Sequence, residues 1–241
     1  MIHRLMTCVS TNAEAGALAA AGAPAFTAVV ADAQEGGRGR LGRAWYSPPG
    51  VNLYVSVILR PAVPVAVAPR LAIVAAVALA EAVEAVAPGL QVELKWPNDL
   101  LVGGRKAAGV LAELAGVDPL AVIVGVGVNA NLAEIPPELS KRATSLALEL
   151  GRPVDREALL QALLDRLRVG VSAFEGAGGM VDTGAWVRRA RLDRVVRVGF
   201  PEGSVLATAV GLREDGALVV RAMDGRTLDV VAGDVVPVEW E

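Results

Sequence analysis

The chain has 241 residues with 54% hydrophobic content, a mean hydropathy of +0.48 and a formal net charge of −3, enough core for one large domain or a large one with a small companion. One cysteine, Cys8, excludes an internal disulfide, and one histidine, His3, excludes a His-based metal cluster. The acidic balance argues against nucleic acid as a partner. The longest apolar run, Leu71–Ala80, is half of a membrane span, and polar Ser10-Thr11-Asn12 and Glu14 stand where a signal peptide needs apolar residues, so a cytoplasmic protein with no membrane contact is expected.

Ser10-Thr11-Asn12-Ala13-Glu14 opens an Ala/Leu helix running to about Gly22. Thr11 with Glu14 has the spacing of a capping box, which leaves Ser10 and Asn12 unaccounted for. A strand is predicted over Phe26–Ala31, with Gln34 at its exit.

Gly36–Arg43 follows, with four glycines and three arginines in eight residues and Leu41 as the only apolar side chain. It has little to bury and its charges repel one another, so it should be loose when empty. Glycine backbone that can approach a phosphate, beside guanidinium groups that grip one, makes an anion clamp; a solvated basic turn is the plainer alternative. Gly37-x-Gly39-x-x-Gly42 formally matches a dinucleotide fingerprint. That reading fails because Tyr46-Ser47-Pro48-Pro49-Gly50 cannot open a helix and no acidic residue stands over 60–68.

A strand over Asn52–Leu59 and a broadly apolar helix over 69–87 come next, the latter opened by Pro69 and ended by Pro88-Gly89. A short strand over Gln91–Leu94 leads into Lys95-Trp96-Pro97-Asn98-Asp99, where Pro97 makes a turn presenting Lys, Asn and Asp together. Arg105–Leu114 has a strand pattern carrying Lys106 and Gly109. Leu120–Val128 is an almost unbroken β-branched run expected at the centre of a sheet. Gly125 and Gly127 within it mark close approach of a ligand or of another backbone, with pure packing as the alternative. Helices are predicted over about 137–150, 156–174 and 185–191. From Leu192 five short β-runs separated by turns form a small β-barrel, with five arginines against nine acids. The expected division is a catalytic domain over 1–190 and a barrel over 191–241.

Only three lysines accompany 20 arginines, and two of them, with three of the five asparagines, fall between 95 and 131. A phosphate-gripping loop, a Lys/Asp turn and a glycine-relaxed strand ending in Asn129 therefore converge. Asp99 could hold Mg²⁺ bridging phosphate oxygens, and Lys95 or Lys106 could neutralise developing charge. With no Ser/His/Asp set and no reactive cysteine, nucleotidyl transfer driven by positioning and electrostatics is the expected chemistry.

Ser10-Thr11-Asn12, Gln34-x-x-Gly37-Arg38-Gly39-Arg40-Leu41-Gly42-Arg43, Trp45, Lys95-Trp96-Pro97-Asn98-Asp99, Lys106-Ala107-Ala108-Gly109 and Gly125-Val126-Gly127-Val128-Asn129 together resemble the ordered motif set of biotin protein ligases, over nearly the whole chain. The resemblance implies an α/β (α+β) fold: a class II synthetase-like catalytic domain with a mixed sheet flanked by helices, plus a C-terminal SH3-like β-barrel. It also implies two steps. Biotin and MgATP give biotinyl-5′-AMP and pyrophosphate, and the acyl group then passes to a lysine of a biotin carboxyl carrier protein domain. Lys106, Arg40, Lys95 and Asp99 would be catalytic, with Asp99 the candidate magnesium ligand. Ser10, Thr11, Asn12, Gln34, Gly37, Arg38, Gly39, Lys106, Gly109, Gly125 and Gly127 would surround biotin. Arg38, Arg40, Leu41, Gly42, Arg43, Trp45, Lys95, Asn98, Lys106, Asn129 and Asn131 would surround ATP.

Leu41 and Asp32 depart from the family pattern, where an arginine and a longer Glu occur. Ser10 begins the first motif so early that a monofunctional ligase is expected, without the DNA-binding domain of the ligase-repressors. A homodimer is compatible with this reading. The runner-up is a lipoate or octanoate ligase of related fold, whose Arg-Arg-x-Ser-Gly-Gly-Gly loop is missing here; a non-catalytic biotin-binding protein would require damage to Lys106 or the loop, and none is seen.

Overall fold

The computed structural model describes residues 1–200 and 203–240. Its elements in chain order are β1 (Ile2–Cys8), α1 (Thr11–Ala20), β2 (Ala28–Gln34), β3 (Leu53–Leu59), α2 (Leu71–Val86), β4 (Val92–Lys95), β5 (Asp99–Val102), β6 (Arg105–Val117), β7 (Leu120–Val128), α3 (Leu146–Leu150), α4 (Arg156–Gly176), α5 (Thr183–Val187), β8 (Val195–Phe200), β9 (Gly203–Leu212), β10 (Leu218–Ala222), β11 (Thr227–Val230) and β12 (Asp234–Pro237).

Seven strands form a mixed sheet in the order β1-β2-β3-β7-β6-β5-β4, in which only β1 and β2 run parallel. The β-branched run of β7 lies at its centre, buried on both faces, as its composition predicts. α2 and α4 cover one face with the main core, which includes Val55, Leu79, Val124, Leu163 and Leu167. α1 covers the other through Ala15 and Ala19 against Val29, Ile58 and Ile123. The stretch Val65–Val86 is long and apolar enough to cross a membrane by composition, but Leu71, Leu79 and Val83 in it are fully buried in this core.

The second sheet is antiparallel, in the order β11-β10-β9-β8-β12. It is docked on the first body: Trp96 Nε1 donates to Gly216 O at 2.9 Å, Trp240 Nε1 to Gly104 O at 3.2 Å, and Arg191 pairs with Glu239 at 2.7 Å. Val198 and Val220 join the same apolar core as α2.

Several expectations need correction. β1 and β5 carry no sequence prediction. β1 is an edge strand whose mostly part-exposed residues show no two-residue alternation, and β5 is four residues long directly after a turn. The helix expected over 137–150 is two fragments, a 3₁₀ turn at Pro137–Leu139 and α3, with Ser145 capping α3 by accepting from Leu148 N–H. Thr11 and Glu14 form no capping box: Ser10 is the N-cap residue, makes no side-chain cap, and Thr11 is spent on other partners.

Candidate active site

Along one side of the sheet lies a cavity of 420 Å³, bounded by the N-terminus of α1, the Arg38–Tyr46 loop, the β4–β5 turn, β6, β7 and the start of the C-terminal strand β12. Of the predicted residues, Ser10, Thr11, Asn12, Gln34, Arg38, Gly39, Arg40, Leu41, Arg43, Trp45, Lys95, Asn98, Asp99, Lys106, Gly109, Gly125, Gly127 and Asn129 line it.

Its floor is polar and buried. Thr11 N–H donates to Gln34 Oε1 at 2.9 Å, and the Thr11 hydroxyl lies 3.1 Å from the same oxygen. Gln34 Nε2 donates to Ser47 Oγ at 3.1 Å, and Ser47 to Trp45 O at 3.0 Å. Asn12 sits over Gly125, where any Cβ would overlap its Oδ1. The Trp45 ring lies so close to Gly127 that a Cβ there would come within 2.6 Å of it. At both glycines the near neighbour is a side chain of the protein itself, so in this structure packing accounts for them.

The β4–β5 turn and β6 bring three charges together. Lys95 Nζ lies 2.8 Å from Asp99 Oδ2, and Lys106 Nζ lies 2.5 Å from Asp99 Oδ1. Burial alone would raise the Asp99 pKa, but the two ammonium groups outweigh it and hold the carboxyl down at about 2. Each lysine also faces an indole: Lys106 over Trp45 at 5.2 Å and Lys95 over Trp240 at 5.4 Å. The triad carries a net positive charge at the middle of the cavity.

The arginine loop closes the other side. It is a small hairpin, with Gly39 N–H donating to Arg43 O at 2.7 Å and Trp45 N–H to Gly37 O at 2.9 Å. Leu41 is exposed and the loop has no apolar anchor, but the C-terminal sheet supplies polar ones. Arg43 pairs with Asp234, and Arg40 donates to Gly233 O at 2.9 Å and to Asn98 Oδ1 at 3.4 Å. Burial lowers the Arg40 pKa from its usual value, while Asp99 and Asp234 oppose that shift.

Three predicted residues fall outside the lining. Gly37 is packed behind it, its Cβ position 2.7 Å from Ser47 Oγ. Gly42 sits in the turn at φ +72°. Asn131 binds Val154 through both ends of its amide, at 2.8 and 2.9 Å, which makes it a strut. Conversely, the sequence reading missed Ser56, Glu113, Arg142, Asp234 and Trp240. Ser56 was legible as a hydroxyl inside a strand that is otherwise apolar or aromatic, and Glu113 as the acid on the strand of Lys106. Asp234 and Trp240 carry no local signal.

The sequence matches the Biotin/lipoate A/B protein ligase family over residues 9–129 and the Biotin protein ligase C terminal domain over residues 192–236. It is 37% identical to the biotin–[acetyl-CoA-carboxylase] ligase of Paracoccus denitrificans, covering 90% of this chain and 92% of that one. It is 35% identical to the bifunctional ligase/repressor BirA of Bacillus spizizenii, covering 90% of this chain and 68% of that one. The fold is similar to that of the Aquifex aeolicus biotin protein ligase in complex with biotin and ATP, with a TM-score of 0.83, 30% identity and 97% of each chain covered. Matching motifs, matching fold and relatives that extend over both sheets lead to one conclusion: the chain belongs to the biotin protein ligase family.

Proposed function

We propose that this chain activates biotin with ATP to biotinyl-5′-AMP and pyrophosphate, then transfers the biotinyl group to a lysine of a biotin carboxyl carrier domain in the cytoplasm. The observation that carries this reading is the position of Lys95 and Lys106, locked on Asp99 between a polar floor and an arginine loop. The floor at Thr11 and Gln34 suits a cyclic urea, and the cationic middle suits a carboxylate meeting a phosphate. The apolar wall of Leu132, Ile135, Pro136 and Leu139 is left for the purine.

In the first step a carboxylate oxygen of biotin bonds to the α-phosphorus, and the bond from that phosphorus to the β-phosphate bridging oxygen breaks. Negative charge grows on the equatorial oxygens and on the departing pyrophosphate. Lys95, Lys106, Arg38, Arg40, Arg43 and Arg142 are the cations that line the cavity, and their placement before the reaction spares solvent reorganisation. In the second step the acceptor amine bonds to the acyl carbon, the acyl–oxygen bond breaks, AMP leaves and the amine passes its proton to solvent water. Asp99 has both oxygens in ion pairs with ammonium groups and is not free to take that proton. Its part is to orient both lysines.

The magnesium role expected of Asp99 does not fit its donors. Both of its oxygens are in ion pairs with ammonium groups. Magnesium enters as part of the nucleotide substrate, and no step is assigned through a protein-held ion. Incubation with biotin, MgATP and a carrier domain should add one biotinyl mass to one lysine; equal or faster modification with lipoate or octanoate would move the chain to the runner-up activity.

A further inference from the structure

The two ammonium groups on Asp99 are not equivalent. Lys106 keeps 28% of its side chain exposed, whereas Lys95 keeps only 11%. Lys95 Nζ lies over the Trp240 ring, 5.4 Å from its centroid, and that indole comes from the 3₁₀ turn Val238–Trp240 that follows β12. It is held at two points. Its Nε1 donates to Gly104 O at 3.2 Å, and the neighbouring Glu239 pairs with Arg191 at 2.7 Å. Arg191 lies directly against Gly104, where a Cβ would overlap its Nη1, so both points bear on the turn between β5 and β6. Arg191 Nε and Nη1 are buried without a hydrogen-bond partner, and its other carboxylate, Glu93, stands 3.7 Å away, so Glu239 is its main counter-charge. The same segment holds the backbone just before Lys95: Leu94 N–H donates to Arg189 O at 2.7 Å and Arg191 N–H to Leu94 O at 3.1 Å. The lysine and the indole that faces it are thus fixed to one frame.

We propose that Trp240 is a positioning residue for adenylate formation: its face holds Lys95 on Asp99 Oδ2, and Lys95 in turn leaves Oδ1 to Lys106. Without the indole, Lys95 can exchange the carboxylate for water. Asp99 is then free to turn and offer both oxygens to Lys106, and the ammonium that meets the phosphate loses its fixed direction. An indole face attracts an ammonium group in a way that an aliphatic side chain of similar bulk does not. The role rests on the ligase reading, and it makes a side chain of the C-terminal sheet part of the geometry of a charge triad on the other sheet.

The test is single-turnover adenylate formation, with KM for biotin and for ATP, in wild type, Trp240→Leu, Trp240→Phe and the same changes in a Lys95→Met background, together with denaturant unfolding of each. Leucine and phenylalanine both lose the bond to Gly104 O, so the two variants should unfold at similar midpoints below that of wild type. Only phenylalanine keeps an aromatic face. Trp240→Leu should therefore slow adenylate formation about tenfold with both KM values within about twofold, while Trp240→Phe should recover most of the rate. In the Lys95→Met background the Trp240→Leu change should cost no further rate, since the coupling runs through Lys95. Equal rate losses in the leucine and phenylalanine variants would make the role structural and overturn the proposal. A raised KM for ATP with an unchanged rate, or a leucine effect that persists in the Lys95→Met background, would overturn it too, by showing that Trp240 acts on the ligand directly. Wild-type protein that forms no adenylate would instead overturn the ligase reading on which the role rests.

Discussion

Lys106 Nζ lies 2.5 Å from Asp99 Oδ1, and the carboxyl that holds it is buried. The pairing leaves the Lys106 side chain part-exposed to the cavity, so one ammonium is fixed in direction before any ligand arrives. Lys95 on the other oxygen keeps the carboxylate charged and fully paired. The arrangement is therefore a mounted cation rather than an acid–base pair.

Replacing Lys106 by alanine should leave the fold intact, because Lys95 still pairs with Asp99. Adenylate formation should lose about 2–3 kcal/mol of transition-state stabilisation, a factor of order 10² in rate. Lys106→Arg should fail as well, since a planar fork cannot take the place of a compact ammonium between Asp99 and Trp45. Single-turnover formation of the adenylate measures both, and an unchanged rate in the alanine variant would remove Lys106 from the mechanism.

Asp99 should give the protein a specific acid response. Its folded pKa of about 2 lies below its ordinary 3.8, so the stabilisation is complete above pH 3.8 and is lost as pH falls through about 2. The shift corresponds to about 2 kcal/mol. Denaturant unfolding of wild type and Asp99→Asn should differ by a constant amount above pH 5, with the difference shrinking by roughly that amount toward pH 2. A difference independent of pH would show that the carboxyl is not held down by the lysines.

The loop tether should be a matter of order rather than stability. Arg43 is 64% exposed in its pair with Asp234, and such pairs contribute under about 1 kcal/mol. Asp234→Ala should therefore unfold near the wild-type midpoint while trypsin cuts the Arg38, Arg40 and Arg43 bonds severalfold faster. Saturating biotin with MgATP should restore protection, as the phosphates replace the lost counter-charge. Cleavage at the wild-type rate without ligands would show that the C-terminal sheet does not hold the loop.

Much of the site was legible because its chemistry is locally dense. Gly36–Arg43 and Lys95–Asp99 stand out by composition, and in this chain a lysine is rare enough to mark Lys106. β7 was legible to the residue because a β-branched run buried on both faces leaves no other solution. What stayed hidden depends on partners far away in sequence. Asp234 matters through Arg43, 191 residues before it, and Ser56 through Asn12, 44 residues before it. Asn131 looked like a ligand residue by its neighbours and is a strut by its contacts with Val154. Asp99 looked like a metal ligand until Lys95 and Lys106 were seen to occupy both of its oxygens.

The most direct test of the account is exchange of labelled pyrophosphate into ATP, which reports reversal of the adenylation step alone and needs no acceptor protein. The account predicts exchange that depends on biotin, is absent with lipoate, and is lost in Lys106→Ala. Exchange without biotin, or supported equally by lipoate, would contradict it.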